Sequence, residues 1–272
     1  MRKLIKQLVL GLSLGLSLGI GVFSNAAEAK FTNYKAPINV KDKESLQKGA
    51  EAFMHYCQGC HSIEFQRFNT TARDIGLSEK LTKENLILTG SYSSHDGEFK
   101  PSKFGDLIYT AMKRSDGKVW FGTAPPDLST IVRARGADYI YTYLRTFYLD
   151  PSRPYGVNNI AFPLVGMPHV LLELQGPQVA VYAQNLPKGC SAEDDENCKM
   201  LQTITELKAT GEGKLNADEY NAMAGDLTNF LSYVAEPAQI QRAKYGPWVL
   251  FFLFIFMIFA YLLNREYWKD VH

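Results

Sequence analysis

Two cysteines and a histidine in Cys57-Gln58-Gly59-Cys60-His61 constrain this chain more than any other stretch. A C-x-x-C-H run is the pattern by which haem is attached covalently. The chemistry sets the spacing, since both thiols must add to the two vinyl groups of one porphyrin. The adjacent imidazole then lies under the iron and can bond it. Gln58 and Gly59 read as short, adaptable filler. The competing reading is zinc, with Cys57, Cys60 and His61 completed by Cys190 or Cys198. Structural zinc sites usually pair two close-spaced couples of ligands, and a histidine directly after the second cysteine is awkward for one ion. The motif favours haem.

The two ends of the chain differ in kind. Arg2, Lys3 and Lys6 form a basic start, Leu8 to Phe23 is apolar, and Ala27-Glu28-Ala29 is a small-x-small cleavage pattern. Residues 1–29 are expected to be a cleaved signal peptide, with an N-terminal anchor as the alternative. Removing them takes the formal charge of the 272-residue chain from +1 to −1. A nearly neutral body implies no polyanion partner, so nucleic acid is not expected. At the other end, Tyr245 to Leu263 gives 19 residues without a charge, about 28 Å as a helix and enough to span a bilayer. Tyr245, Trp248, Tyr261, Tyr267 and Trp268 supply aromatic edges on both sides. The export signal carries the body across first. The expected organisation is a haem domain over 30–241 outside the membrane, an anchor over 242–264 and a short tail over 265–272 inside.

Between the ends the pattern is mainly helical. A helix is expected from Asp42, an N-cap, to the attachment motif, with Leu46, Ala50, Phe53 and Met54 on its core face. Gly49 inside it points to a close helix–helix contact. After His61 a mixed stretch, Ser62 to Asn69, can wall a porphyrin. Residues 69–90 allow a short helix or two, 91–106 read as loop, and Leu107 to Lys113 as a helical turn or two. Pro125-Pro126 makes a rigid turn, with Asp127 or Ser129 as caps for a helical stretch from Thr130 to Arg135. A second helix is expected from Asp138, as cap, to Tyr148. Gln178 to Tyr182 alternates as a strand does. A long helix is expected from Asn216 or Asp218 to Pro237, with Tyr220, Leu227, Phe230 and Val234 in the core. It is expected to cross the helix that carries Gly49 and Phe53.

The loop from Asp150 to Pro168 is rich in Pro, Gly and Asn. Met167, between Gly166 and Pro168, is not explained by helix-core packing, which suits Met54, Met112, Met200 and Met223 better. It is the best candidate for a sixth iron ligand, a position in which a thioether raises the haem potential. His169 is the second candidate. Arg133 and Arg135 are either partners for haem propionates or solvated helix charges. Cys190 and Cys198 enclose seven residues and are expected to pair as a disulfide in an oxidising compartment. The acids between them, Glu193 to Glu196, read either as a lure for a basic partner or as a solvated loop tip.

The attachment motif in its Gly-Ala-Glu-Ala-Phe-Met-His-Tyr context, the block Ala124-Pro125-Pro126-Asp127-Leu128-Ser129, the loop Phe162 to His169 and the C-terminal anchor together resemble the cytochrome c1 family. This is the haem subunit of the cytochrome bc complex, and the likeness is to its proteobacterial members. The resemblance implies a mainly α, cytochrome-c-like haem domain with long loops and insertions, plus one C-terminal transmembrane helix. It implies one covalent haem c on Cys57 and Cys60, axial ligands His61 and Met167, and a propionate contact from Arg135 and Tyr139. It implies electron transfer from a Rieske iron–sulfur protein to a soluble or tethered cytochrome c, beside a cytochrome b subunit, in a dimeric complex. The body would lie in the periplasm of a bacterial inner membrane. A membrane-tethered cytochrome c feeding a terminal oxidase is the alternative.

Overall fold

In the computed structural model, residues 33–92, 99–182 and 204–270 are described. Helix α1, Lys43–Tyr56, starts at Asp42, whose Oδ1 accepts from the amides of Glu44 and Ser45. That cap satisfies amides with no partner inside the helix. The longest core helix, α8 (Ala217–Ala235), is opened by Asn216 and Glu219, each side chain bonding the other's backbone amide. α1 crosses α8 at Gly49. A Cβ there would stand 2.1 Å from the Asp226 carbonyl oxygen and 2.7 Å from Phe230 Cβ. Only glycine allows that approach. One turn on, the fully buried rings of Phe53 and Phe230 meet with centroids 6.0 Å apart.

Four antiparallel two-stranded ladders frame these helices among the described residues: β1 (Ile63–Arg67) with β4 (Leu107–Ile108), β2 (Gly90–Tyr92) with β3 (Phe99–Pro101), β5 (Phe147–Leu149) with β6 (Val157–Asn159), and β7 (Gln178–Tyr182) with β8 (Ile204–Ala209). Helices α2 (Phe68–Ile75) and α3 (Glu79–Asn85) fill the region where one or two short helices were expected. α4 (Arg114–Phe121), α5 (Ile131–Arg135), α6 (Ala137–Arg145) and the short α7 (Leu172–Gln175) follow. α5 and α6 pack on α8, and Tyr220 donates to the Leu144 carbonyl at 2.7 Å.

Four local expectations are corrected. The helical turn placed at Leu107 to Lys113 lies later, as α4. The loop from Asp150 to Pro168 contributes β6 and so has a short ladder of its own. α6 stops at Arg145 rather than Tyr148, because Phe147–Leu149 pairs with β6 and Asn159 Nδ2 takes the Tyr143 carbonyl of the last turn. Asp138 does not cap α6 either. It accepts from the Ala36 amide at 2.9 Å and Lys35 Nζ at 3.0 Å, and so straps the N-terminal arm to the helix.

α8 ends before Pro237, as expected, and α9 runs Gln239–Tyr267. At 29 residues it is about 43 Å long. Its side chains are exposed, and it is long and apolar enough to cross a membrane. It begins and ends beyond the span expected for the anchor. The fold is mainly α with a single candidate transmembrane helix among the described residues.

Candidate haem-binding site

The attachment motif folds as a tight turn at the end of α1. The Cys57 amide bonds the Phe53 carbonyl, and the amides of Cys60 and His61 return to the Cys57 carbonyl at 3.0 and 2.8 Å. Both thiols are unbridged. Burial pushes Cys57 up to about 12 and raises Cys60 as well. Gln58 is not filler. It is fully buried, and Nε2 donates to Thr89 Oγ1 at 2.9 Å and to the Tyr109 carbonyl at 3.2 Å. Its Oε1 has no partner.

His61 is oriented from behind. Its Nδ1 lies 2.7 Å from the Pro126 carbonyl oxygen, so Nδ1 carries the proton and Nε2 keeps its lone pair for a metal. Burial lowers its pKa and favours that neutral form. The Pro126 carbonyl is itself held. Asp127 accepts from the amides of Glu64 and Ser129, Ser129 Oγ accepts from the Phe65 amide, and the Leu128 amide bonds the Ser62 carbonyl. Asp127 and Ser129, expected as helix caps, instead clamp the proline turn to the strand behind His61. α5 has no side-chain cap.

Met167 lies in the loop between β6 and α7. It packs on a small cluster of Phe147, Val157 and Val165. The Tyr143 hydroxyl donates to Met167 Sδ at 3.3 Å. Burial holds the Tyr143 phenol well above its usual range, so the hydroxyl keeps its proton. The rings of Tyr139 and Tyr143 stack at 6.4 Å, and Phe147 meets Tyr143 edge-on at 5.2 Å. His169, the second candidate, is otherwise engaged. Its ring lies flat on Phe147 at 4.5 Å, and Nε2 is 2.8 Å from Gln175 Oε1. Burial pushes its pKa down to about 4. The comparison favours Met167.

α4 joins the two halves. A Cβ at Gly117 would stand 2.7 Å from Pro125 Cδ, so this face of the helix lies against the turn that holds His61. At its end, Phe121 packs on Tyr155 at 5.8 Å, and the Tyr155 hydroxyl donates to the Trp120 carbonyl. A Cβ at Gly166 would lie 3.8 Å from the Phe121 carbonyl oxygen. One short helix thus touches both the proline turn and the loop that carries Met167. The guanidinium of Arg135 lies 5.7 Å from the Tyr139 ring centroid. That pair continues the row Tyr139, Tyr143, Phe147 toward the exposed end of α5.

The donor set fits a covalent haem: two free thiols with two residues between them, an imidazole oriented through its far nitrogen, and a thioether with one lone pair already hydrogen-bonded. Among the described residues no three His, Cys, Asp or Glu side chains gather to hold a metal ion. Cys190, Cys198 and the acids between them lie outside the described residues. Sequence reasoning missed Tyr143 and the burial of Gln58. The four-residue recurrence of Tyr139, Tyr143 and Phe147 was the available signal for Tyr143.

The profile of the Cytochrome C1 family matches residues 32–271. Cytochrome c1 of Allochromatium vinosum is 47% identical over 237 residues, 87% of this chain and 88% of that protein. A Nitrosomonas europaea protein named ammonia monooxygenase gamma subunit is 44% identical over 238 residues, 88% of each chain. Cytochrome b/c1 of Bradyrhizobium diazoefficiens is 23% identical over 258 residues, 88% of this chain and 35% of that longer protein. Family membership implies a covalently bound haem c and an electron-transfer role as a membrane-anchored subunit of a cytochrome bc1 complex. From its attachment motif to its anchor, this chain belongs to the cytochrome c1 family.

Proposed function

We propose that this chain accepts electrons from a Rieske iron–sulfur protein and passes them to a soluble or tethered cytochrome c, within a dimeric complex that contains cytochrome b. In this reading Cys57 and Cys60 would hold haem c through thioether bonds, and His61 Nε2 and Met167 Sδ would bind its iron. Arg135 and Tyr139, which meet at 5.7 Å, would contact a propionate. Haem c supplies one-electron redox chemistry; the chain makes and breaks no substrate bond. Pro126 orients His61, Tyr143 hydrogen-bonds Met167, and Phe147 and Val165 keep water from the thioether. Residues 1–29 would be removed as a signal peptide, and the domain over 30–241 would lie in the periplasm. α9 would anchor it through 242–264, leaving 265–272 in the cytoplasm. Cys190 and Cys198 would pair as a disulfide.

The observation that carries this reading is the hydrogen bond from His61 to the Pro126 carbonyl, which makes an attachment sequence into an oriented ligand. Its test is purification of the full chain from membranes, with haem staining after denaturation and near-infrared spectra of the wild type and Met167→Leu. Haem that survives denaturation, with a methionine–iron charge-transfer band lost in the variant, is the expected result. Covalent haem with the band unchanged would move the sixth ligand elsewhere. Absence of haem would overturn the reading. The 44% identity to a protein named for ammonia monooxygenase favours a second reading, a subunit of such an enzyme. Co-purification separates the two: cytochrome b and a Rieske protein in one case, a monooxygenase in the other.

A further inference from the structure

We propose that Tyr143 is a positioning residue for the sixth ligand, its hydroxyl drawing electron density from Met167 Sδ and so raising the reduction potential of the site. This rests on the axial role assigned to Met167. A thioether sulfur has two lone pairs, so one can bond iron while the other accepts the Tyr143 hydroxyl at 3.3 Å. Iron(III) is poorer in electrons than iron(II) and depends more on donation from sulfur. A hydrogen bond that withdraws density therefore disfavours the oxidised state more, and the one-electron potential rises.

The arrangement around the hydroxyl fits a tuning role. Tyr143 lies in the last turn of α6, a helix packed on α8, so its backbone is fixed by the core rather than by the loop it faces. Tyr139 and Phe147 hold its ring from two sides, by stacking and by an edge contact. The Tyr143 carbonyl is taken by Asn159 Nδ2 at 2.8 Å, which ties the same residue to β6 and the start of the Met167 loop. The ring is thus held by packing alone, and the hydroxyl is free to act on sulfur. Removing only that oxygen leaves the packing intact.

The test compares Tyr143→Phe with the wild type in the full-length, haem-loaded protein by redox titration and near-infrared spectroscopy. The expected result is a potential lower than wild type, with the methionine–iron band retained. One hydrogen bond is worth a factor of about 3 to 10 in the reduction equilibrium, or about 30–60 mV downward at 59 mV per decade for one electron. Tyr233→Phe is the control, because it removes a buried phenol bonded to Asp74 at 2.8 Å, away from Met167. It should lower stability and leave the potential unchanged. An unchanged potential in Tyr143→Phe overturns the proposal. So does loss of the band, since the hydroxyl would then hold the ligand rather than tune it. A potential that falls equally in both variants also overturns it, as a general effect of loosening. If instead Met167→Leu keeps the band, the axial assignment itself fails, and that outcome is distinct from the others.

Discussion

Substituting Gly49→Ala should open the crossing of α1 and α8, and the structure sets the size of the effect. The new Cβ would stand 2.1 Å from the Asp226 carbonyl oxygen, where ordinary contact begins near 3.4 Å. The obstacle is helix backbone, with Phe230 Cβ at 2.7 Å beside it, so no flexible side chain can swing away. The helices must part by roughly 1.3 Å, which also loosens Phe53 against Phe230. Overpacking of this kind costs about 1–3 kcal/mol, and a backbone clash belongs at the upper end. Alanine returns about 1 kcal/mol through helix propensity. The net loss is about 2 kcal/mol, and at about 2–4 °C per kcal/mol for a domain of this size the melting temperature should fall about 4–8 °C. Calorimetry of the full-length protein in detergent measures it. An unchanged or higher melting temperature would show that the helices do not meet at Gly49, and would remove the packing account of how α1 presents its attachment motif.

Two more outcomes follow from buried and charged groups. Gln58→Glu would place a carboxylate at a fully buried position and lose the donors to Thr89 and Tyr109. A buried carboxylate shifts up by about 3–5 units, so it is protonated in the folded state near pH 7 and the loss there is about 3.5 kcal/mol, set by the gap between pH 7 and the unfolded value of about 4.3. Because the folded pKa is raised, that stability should return below about pH 4; denaturant melts at pH 7 and pH 4 would expose the error if the loss were the same at both. Asp138 has the opposite sign. Its pKa is lowered first by the Ala36 amide and then by Lys35, so its contribution is present above the unfolded value of about 3.9 and is lost as pH falls through the folded one. Asp138→Asn keeps the acceptor but loses the charge, so its melting temperature should lie below wild type at pH 7 and converge with it below about pH 4. A constant gap across that range would rule out the linkage.

The sequence alone determined features whose causes lie within a helical turn or one uninterrupted run. Asp42 and Asn216 cap their helices as read, because a cap is settled by bonds two and three residues away. The apolar run in α9 and the C-x-x-C-H motif are legible for the same reason, and with the Ala124–Ser129 block and the Phe162–His169 loop they pointed to the family. Even Gly49 hinted at its partner, since glycine inside a helix needs a justification from outside it. The tertiary structure decided which polar group meets which. Asp127 and Ser129 lie where caps belong, yet they bond amides 63 and 64 residues back in β1. Asp138 serves an arm 102 residues away, and Gln58 spans to Thr89 and Tyr109. The Tyr143 hydroxyl reaches a sulfur 24 residues on, past the turn into β6. A short polar side chain satisfies a local amide or a distant one at similar energy, so its choice waits on the packing that brings the distant one near.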